Sequence, residues 1–300
     1  MKRVRLLIVA FLVLALLLLL GCAGRNAGNS RNEDEKSGSW EQRGRMVEEI
    51  AIAAKSADTV RMDLRFGAAE FRLRPANMSP LAEGQIVYYD HRLVPEIIDD
   101  NNYVKISQET SGIAGSLDNV KTEWNLNLST RQVLDLSISA GAFDGEFDFS
   151  GLQLTSLSMA TGAAEGKVIF NKRNPQKMRR FDFSTGASSF KLSGLLNADF
   201  EHLDFKGGAG SYTLDFGGSL QHDDSVQADI SVGVCDLTII VPHDVSTRVV
   251  MKGALTSISP GSFLVAGSRE YVNGAYNSAK PTLEIIINMS VGSLDLKESR

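Results

Sequence analysis

The sequence predicts an all-β protein, built as a β-solenoid from stacked units of roughly 22 residues. Three observations carry this prediction. From about Met46 onwards, short runs alternate apolar and polar residues, as strands with one buried face do. Glycines recur at a nearly fixed distance, with apolar residues at the same positions around each of them. No long helical pattern follows the apolar segment at the start of the chain.

The repeat is defined by seven glycines, which we call the frame glycines. Between Gly141 and Gly233 they are 21, 24, 22 and 25 residues apart. Apolar residues stand three and five positions before each of them, and six positions after all but the last, where Glu298 follows instead. The frame glycines are Gly67, Gly141, Gly162, Gly186, Gly208, Gly233 and Gly292.

The apolar positions change parity at the frame glycine, from odd offsets before it to even offsets after it. Side chains in a strand alternate between faces, so this change means that one residue is absorbed without turning the apolar face outward. Glycine tolerates positive φ and forms such bulges. Each unit is therefore predicted as strand, glycine bend, strand and turn, stacked on its neighbours. A β-sandwich with coincidental glycines is the alternative, since evenly spaced short strands are typical of sandwiches too.

The predicted solenoid domain covers residues 46–300 and has different ends. Residues 46–130 contain a long interval without a frame glycine and are predicted to form N-terminal strands that cap the stack. Such a cap is expected because an open stack end is an adhesive strand edge. Residues 131–296 are predicted to form the regular repeats, with Glu284–Leu296 as the last rung.

The first residues predict export. A basic start at Lys2–Arg5 precedes the apolar run Leu6–Leu20, and these features are typical of a secretory signal peptide at residues 1–21. The run has 15 residues, which is short for a membrane span of about 20. An ordinary signal peptide or a marginal membrane anchor is the alternative to the lipoprotein signal that the next residues indicate.

Leu19-Leu20-Gly21-Cys22 resembles the lipobox of bacterial lipoproteins. The resemblance implies that Cys22 becomes the lipidated N-terminus and attaches the protein to the plasma or the outer membrane. Residues 22–45 are polar, rich in Gly, Asn and Ser, and predicted to be a flexible tether.

Charge and cysteine content limit the partners. The formal net charge is −5, and −8 once the three basic residues of the signal peptide are removed. An acidic protein is not expected to bind nucleic acid or to hold a membrane by a basic patch, so attachment is left to the lipid. With Cys22 acylated, Cys235 has no disulfide partner. Its inward parity predicts a small, inert core residue, the alternative being a reactive thiol.

The sequence contains few candidates for catalytic or cofactor-binding residues. Four histidines are present, none at metal-ligand spacing, and the cluster at His222–Asp224 is interpreted as a solvated loop. There is no nucleophile elbow, phosphate-binding loop or dinucleotide fingerprint, so no cofactor is expected.

Acidic residues do recur at two outward positions. In a stack, Asp182, Asp204 and Asp229 form a column of like charges about 4.8 Å apart, four residues before the frame glycine. The column is interpreted as a solvated face, or alternatively as a cation- or amine-binding face. A second set lies three residues after the frame glycine: Glu70, Asp144, Glu165, Asp236 and Asp295.

Three stretches, Val60–Leu73, Trp124–Leu128 and Leu134–Phe143, resemble the toast-rack domain family and the related putative-adhesin and cell-wall-antibiotic-response domains. The resemblance implies a β-helical module outside the cytoplasm. It also implies an alternative role as an envelope-stress accessory that contacts a sensor system, as in proteins of the LiaF type.

The sequence as a whole predicts a non-catalytic, lipid-anchored envelope protein that acts as a scaffold or adhesin-like interaction module. Its expected partner is an envelope protein or a cell-wall glycan. A polysaccharide-acting β-helix enzyme is the further alternative, and it requires carboxylates gathered over neighbouring rungs.

Overall fold

Strands dominate the computed structural model, which describes residues 44–108, 122–220, 225–278, 280 and 282–299, with only the backbone at 254–256. These residues contain no α-helix and two short 3-10 helices, His91–Leu93 and Leu195–Ala198. The all-β class is thus confirmed. The strands are β1 (Met46–Ile52), β2 (Val60–Ala76), β3 (Ala82–Tyr88), β4 (Glu96–Asp99), β5 (Tyr103–Gln108), β6 (Thr122–Ser129), β7 (Val133–Asp148), β8 (Gln153–Thr161), β9 (Ala164–Ile169), β10 (Met178–Thr185), β11 (Ser188–Ser193), β12 (Phe200–Asp215), β13 (Val226–Pro242), β14 (Thr247–Ser259), β15 (Leu264–Gly267), β16 (Glu270–Val272) and β17 (Leu283–Ser299).

The repeated units stand side by side in one parallel ladder. We call each unit a rung, and its halves before and after the bend the pre-bend and post-bend arms. Strand β2 pairs with β7, and β7 pairs with β8 through its pre-bend arm and with β9 through its post-bend arm. The ladder continues through β10 with β11, then β12, then β13, always parallel.

The core lies between the two arms of each rung. Alternation buries the residues at odd offsets before the bend and at even offsets after it, such as Phe66 and Phe71 on β2. These two rings stack with centroids 4.8 Å apart across the bend. On β12, Phe205 and Tyr212 meet edge to face across the bend, with their centroids 5.2 Å apart. The bend therefore folds each rung onto its own apolar face, as the parity change predicts.

Close stacking explains five of the frame glycines, and positive φ, which the sequence suggests, does not. None of Gly67, Gly141, Gly162, Gly186, Gly208 and Gly233 has positive φ. A Cβ at Gly141 would lie 2.4 Å from the carbonyl oxygen of Gly67, and one at Gly208 would lie 2.6 Å from that of Gly186. From Gly141 to Gly233, each frame glycine rests on the preceding one, so a side chain would separate the rungs.

The seventh frame glycine was wrongly placed, because the last rung is shifted by two residues. Gly292 pairs with Cys235 rather than with Gly233, and Ser290 takes the glycine position. With this register the residue six positions after the bend is Leu296, which is fully buried. The shift removes the one exception in the repeat, the charged Glu298.

The order of rungs at the C-terminal end also differs from the prediction. Strand β17, which contains Glu284–Leu296, is not the last rung, since it lies between β13 and β14 and pairs in parallel with both. Strand β14 is the outermost rung and has no frame glycine. Its pre-bend arm is covered by β16 and β15 in antiparallel pairing. A local repeat cannot reveal this order, because it depends on which strand reaches the stack last.

The N-terminal end is arranged in a similar way. Strand β2 lies between β7 on one side and β5 and β6 on the other. Antiparallel strands then cover this end, with β4 on β5, β3 on β6 and β1 on β3. At both ends, therefore, the rung nearest to the chain terminus, β2 or β17, occupies an inner position of the ladder.

Candidate binding groove

A groove of about 450 Å³ crosses the outer face of the post-bend arms over five neighbouring rungs. Outward side chains line it at two positions, three and five residues after the glycine position. We call these positions the near row and the far row. The near row consists of Glu70, Asp144, Glu165, Ser189 and Ser211, and the far row of Arg72, Glu146, Lys167, Lys191 and Thr213.

Each row runs straight across the ladder, because the rungs pair in register. Glu70 pairs with Asp144 and Asp144 with Glu165, so that three carboxylates occupy neighbouring rungs. In the far row Lys167 pairs with Lys191. Adjacent strands are about 4.8 Å apart, and two residues along a strand span about 6.7 Å. Glu146 lies in the far row between Arg72 and Lys167, so the anionic patch consists of Glu70, Asp144, Glu165 and Glu146, and the cationic patch of Lys167 and Lys191.

The charges of the groove have no partners within the protein. None of the seven charged side chains in the two rows forms an ion pair or a side-chain hydrogen bond with any residue that the structure describes. The three neighbouring carboxylates repel one another, which disfavours the folded state unless something compensates. The groove can thus accept ammonium or guanidinium groups over its carboxylates, and carboxylates over Lys167 and Lys191.

Packed aromatic rings support the floor of the groove. Phe71 and Phe190 are buried beneath it. Gly166 leaves room for the ring of Phe190, since a Cβ there would lie 2.3 Å from it, and Gly145 does the same for Phe143 at 3.0 Å. These glycines serve the aromatic packing, so that the charged rows stand on a rigid base.

The predicted column Asp182, Asp204 and Asp229 lies on the outer face of the pre-bend arms, in register on β10, β12 and β13. Each of its carboxylates has a polar partner: Asp182 and Asp204 pair with Arg180 and Lys206, and the side-chain amide of Gln227 donates to both oxygens of Asp229. The nitrogen–oxygen distances are 2.5 Å from Arg180 to Asp182, 2.7 Å from Lys206 to Asp204 and 3.4 Å from His202 to Asp229. Ion pairs formed along this face offset the expected repulsion.

Asp63 occupies the same position on β2, and parity alone places it on the outer face. The structure instead covers its side chain, which is 1 % exposed. Nitrogens of Arg61 and Arg65 lie 3.4 and 3.1 Å from its carboxylate, and the hydroxyl of Tyr103 donates to it at 3.2 Å. This cluster joins β2 to β5, and it is structural.

The remaining predicted residues offer no second site. Cys22 and His222–Asp224 lie outside the described residues. Cys235 is buried, and burial, followed by the charge of Asp236, raises the pKa of its thiol to about 12. The described residues contain no group of three or more His, Cys, Asp or Glu side chains placed to hold a metal ion. In the same residues, no helix has the length and apolarity needed to span a membrane.

Sequence reasoning found the acids of the near row but missed the bases of the far row. The bases Arg72, Lys167 and Lys191 stand two residues further along the strands than the acids. Tabulating the fifth position after each frame glycine reveals them. Only the structure shows that these bases form no ion pairs with the neighbouring acids.

The fold and the groove define a class of protein: an all-β ladder of glycine-bent rungs with a charged groove across its outer face. The chain belongs to the toast-rack family, since residues 41–193 match the model described as “N-terminal domain of toast_rack, DUF2154”. This stretch includes four of the five rungs that line the groove.

Several solved structures are similar to the chain. A “putative cell adhesion protein” from Clostridium sporogenes is 20% identical, with 85% of this chain and 100% of that chain covered and a TM-score of 0.46. A “putative adhesin” from Parabacteroides merdae is 8% identical, with coverages of 86% and 98% and a TM-score of 0.35. A “Putative lipid binding protein” from Parabacteroides distasonis is 11% identical, with the same coverages and a TM-score of 0.28. A search of the curated proteins gives no match.

Proposed function

We propose that this protein is a non-catalytic, lipid-anchored component of the cell envelope that presents the groove to an extended partner. The observation that carries the proposal is the set of seven charged side chains in the groove without partners inside the protein. Elsewhere on the outer face, acids of the same spacing are neutralised by neighbours. Charges left free in a concave surface favour a binding role, in a scaffold or adhesin-like module.

The proposal includes a β-solenoid architecture and an extracytoplasmic location. Parallel, in-register pairing of successive rungs through one glycine column supports the solenoid, because each unit then contacts only its neighbours. Toast-rack family membership and the lipobox at Leu19–Cys22 support the location. Metabolic labelling with a fatty acid tests the anchor. The label should be lost in a Cys22→Ser variant.

The binding role is tested by photo-crosslinking in cells. A photoreactive amino acid replaces either Ser189, in the groove, or Ala160, on the outer face of a pre-bend arm. Both residues are small and exposed. We expect a reproducible adduct, identified by mass spectrometry as protein or glycan, from position 189 alone. Equal labelling from both positions, or labelling from position 160 only, contradicts a role for the groove.

A further inference from the structure

The chemistry of the groove restricts its occupant further than a general binding role does. In the near row, Glu70, Asp144 and Glu165 stand on three adjacent rungs with no counter-charge in contact. An occupant that places ammonium or guanidinium groups here relieves their mutual repulsion. The near-row acids therefore select a cationic group.

Two residues of the far row make the opposite selection. Lys167 and Lys191 are neighbours on β9 and β11, and neither has an acidic partner in contact within the described part of the chain. They lie two residues further along the strands than the near row, at about 6.7 Å. An occupant that satisfies both rows must carry a cation and an anion at this spacing.

An extended peptide has this spacing built in. Its side chains at positions i and i+2 point to the same side, two strand residues apart, as the two rows do. The groove lining consists of charged groups and hydroxyls, and its two aromatic residues, Phe71 and Phe190, are buried. It thus favours recognition by charge over stacking against a sugar ring.

We infer that the groove binds an extended peptide segment in which a basic and an acidic side chain alternate at i and i+2. A basic side chain lies over Glu165, and the acidic side chain two residues further along lies over Lys167 on the same strand. This inference rests on the proposed function, because it assigns a ligand class to the same groove.

Fluorescence anisotropy on the full chain in detergent tests the inference with four probes. These are a Lys-Ser-Glu-Ser repeat peptide, a Lys-Ser repeat, a Glu-Ser repeat and an uncharged polysaccharide fragment. We expect the mixed-charge peptide to bind at least about tenfold more tightly than the others at low salt. Its binding should weaken as salt rises.

Variants connect the binding to the two rows. Lys167→Glu with Lys191→Glu, and separately Asp144→Asn with Glu165→Gln, should each reduce affinity for the mixed-charge peptide about tenfold. The matched control, Arg179→Glu, changes an exposed charge on a pre-bend arm and should leave binding unchanged. Thermal melting verifies that each variant folds.

Several results overturn the inference. They are equal binding of the three peptides, preference for the uncharged polysaccharide, no binding of any peptide, or full affinity in folded groove variants. Photo-crosslinking from position 189 to a partner whose capture is insensitive to these substitutions leaves the proposed function standing and removes only the peptide assignment.

Discussion

Two columns of acids on the same ladder differ in how their charge is compensated. On the pre-bend face, Asp182 and Asp204 each have a basic partner within 2.7 Å, and Asp229 accepts hydrogen bonds from Gln227. On the post-bend face, the near-row acids have none among the described residues, although they stack over the same number of rungs. Stacked carboxylates are thus compatible with this fold where pairing neutralises them. Where pairing within the protein does not neutralise them, a bound ligand can do so.

Spacing alone does not create this difference. Arg180 and Lys206 each stand two residues from the aspartate that they pair with, on the same strand. In the groove, Glu165 and Lys167 have the same separation and form no ion pair. Both faces carry the sequence pattern that allows neutralisation, and only the pre-bend face uses it.

The largest expected effect on stability comes from a substitution in the bend, which holds both columns in register. Gly141→Val places a Cβ that would lie 2.4 Å from the carbonyl oxygen of Gly67, and backbone cannot yield as a side chain tip does. We expect a loss of at least about 3 kcal/mol in the free energy of unfolding, measured by urea denaturation. Gly274→Ala is the control, because a Cβ there meets nothing within 4 Å. A Gly141→Val protein as stable as wild type refutes the close-stacking explanation.

The second effect concerns the buried thiol of Cys235, which lies beside the acidic post-bend face. Asp236 stands at the near-row position on β13, next to Cys235, whose pKa is raised to about 12 by burial first and by Asp236 second. The thiol of the unfolded chain loses its proton near pH 9, whereas the folded protein retains it. The unfolded state is therefore favoured as pH rises above 9, and the folded state should lose about 1 kcal/mol between pH 9 and 10.

Urea denaturation of the wild type and of Cys235→Ala across this pH range isolates the contribution of the thiol. Tyr212, whose pKa burial also raises, is present in both proteins. Asp236→Asn should retain most of the pH dependence, because burial is the larger cause. A wild type and a Cys235→Ala variant that lose stability in parallel show that the thiol is not responsible.

The third effect removes one counter-charge from the paired column. Lys206→Met leaves Asp204, whose side chain is 19% exposed, without its partner 2.7 Å away. We expect a loss of about 0.5 kcal/mol at low salt, and less at high salt. Lys167→Met is the matched control on the groove side, where no ion pair is lost. An equal effect of the two substitutions contradicts the distinction between the columns.

The local sequence pattern was sufficient to predict the rungs but insufficient to predict their order in the ladder. The parity of apolar residues around Gly208 predicts buried Phe205 and Leu214, because alternation is a property of each strand by itself. The position of β17 between β13 and β14 depends on long-range pairing that no local repeat encodes. Gly292 was a false match for the same reason: it lies two residues from the true position, which a serine occupies.

The groove was only half predictable. Its acids follow from their fixed offset, and its bases from the next outward offset, so both rows can be read from the sequence. Whether a base turns toward the acid beside it depends on side-chain conformation, as the contrast between Lys206 and Lys167 shows. The free charge that defines the groove is therefore a property of the structure.

The smallest expected effect discriminates best between the columns, because the change in folding stability has opposite signs in the two. Asp144→Asn removes the central carboxylate of three unpaired neighbours, so the folded state should gain about 0.3 kcal/mol at low salt. Asp204→Asn removes a carboxylate that pairs with Lys206, so the folded state should lose stability. Urea denaturation at low and at high salt measures both, and screening should shrink both differences. A loss of stability in both variants shows that the near-row acids have stabilising partners of their own. A gain for Asp144→Asn alone means that these carboxylates are retained at a cost to folding, which is expected of groups that serve binding.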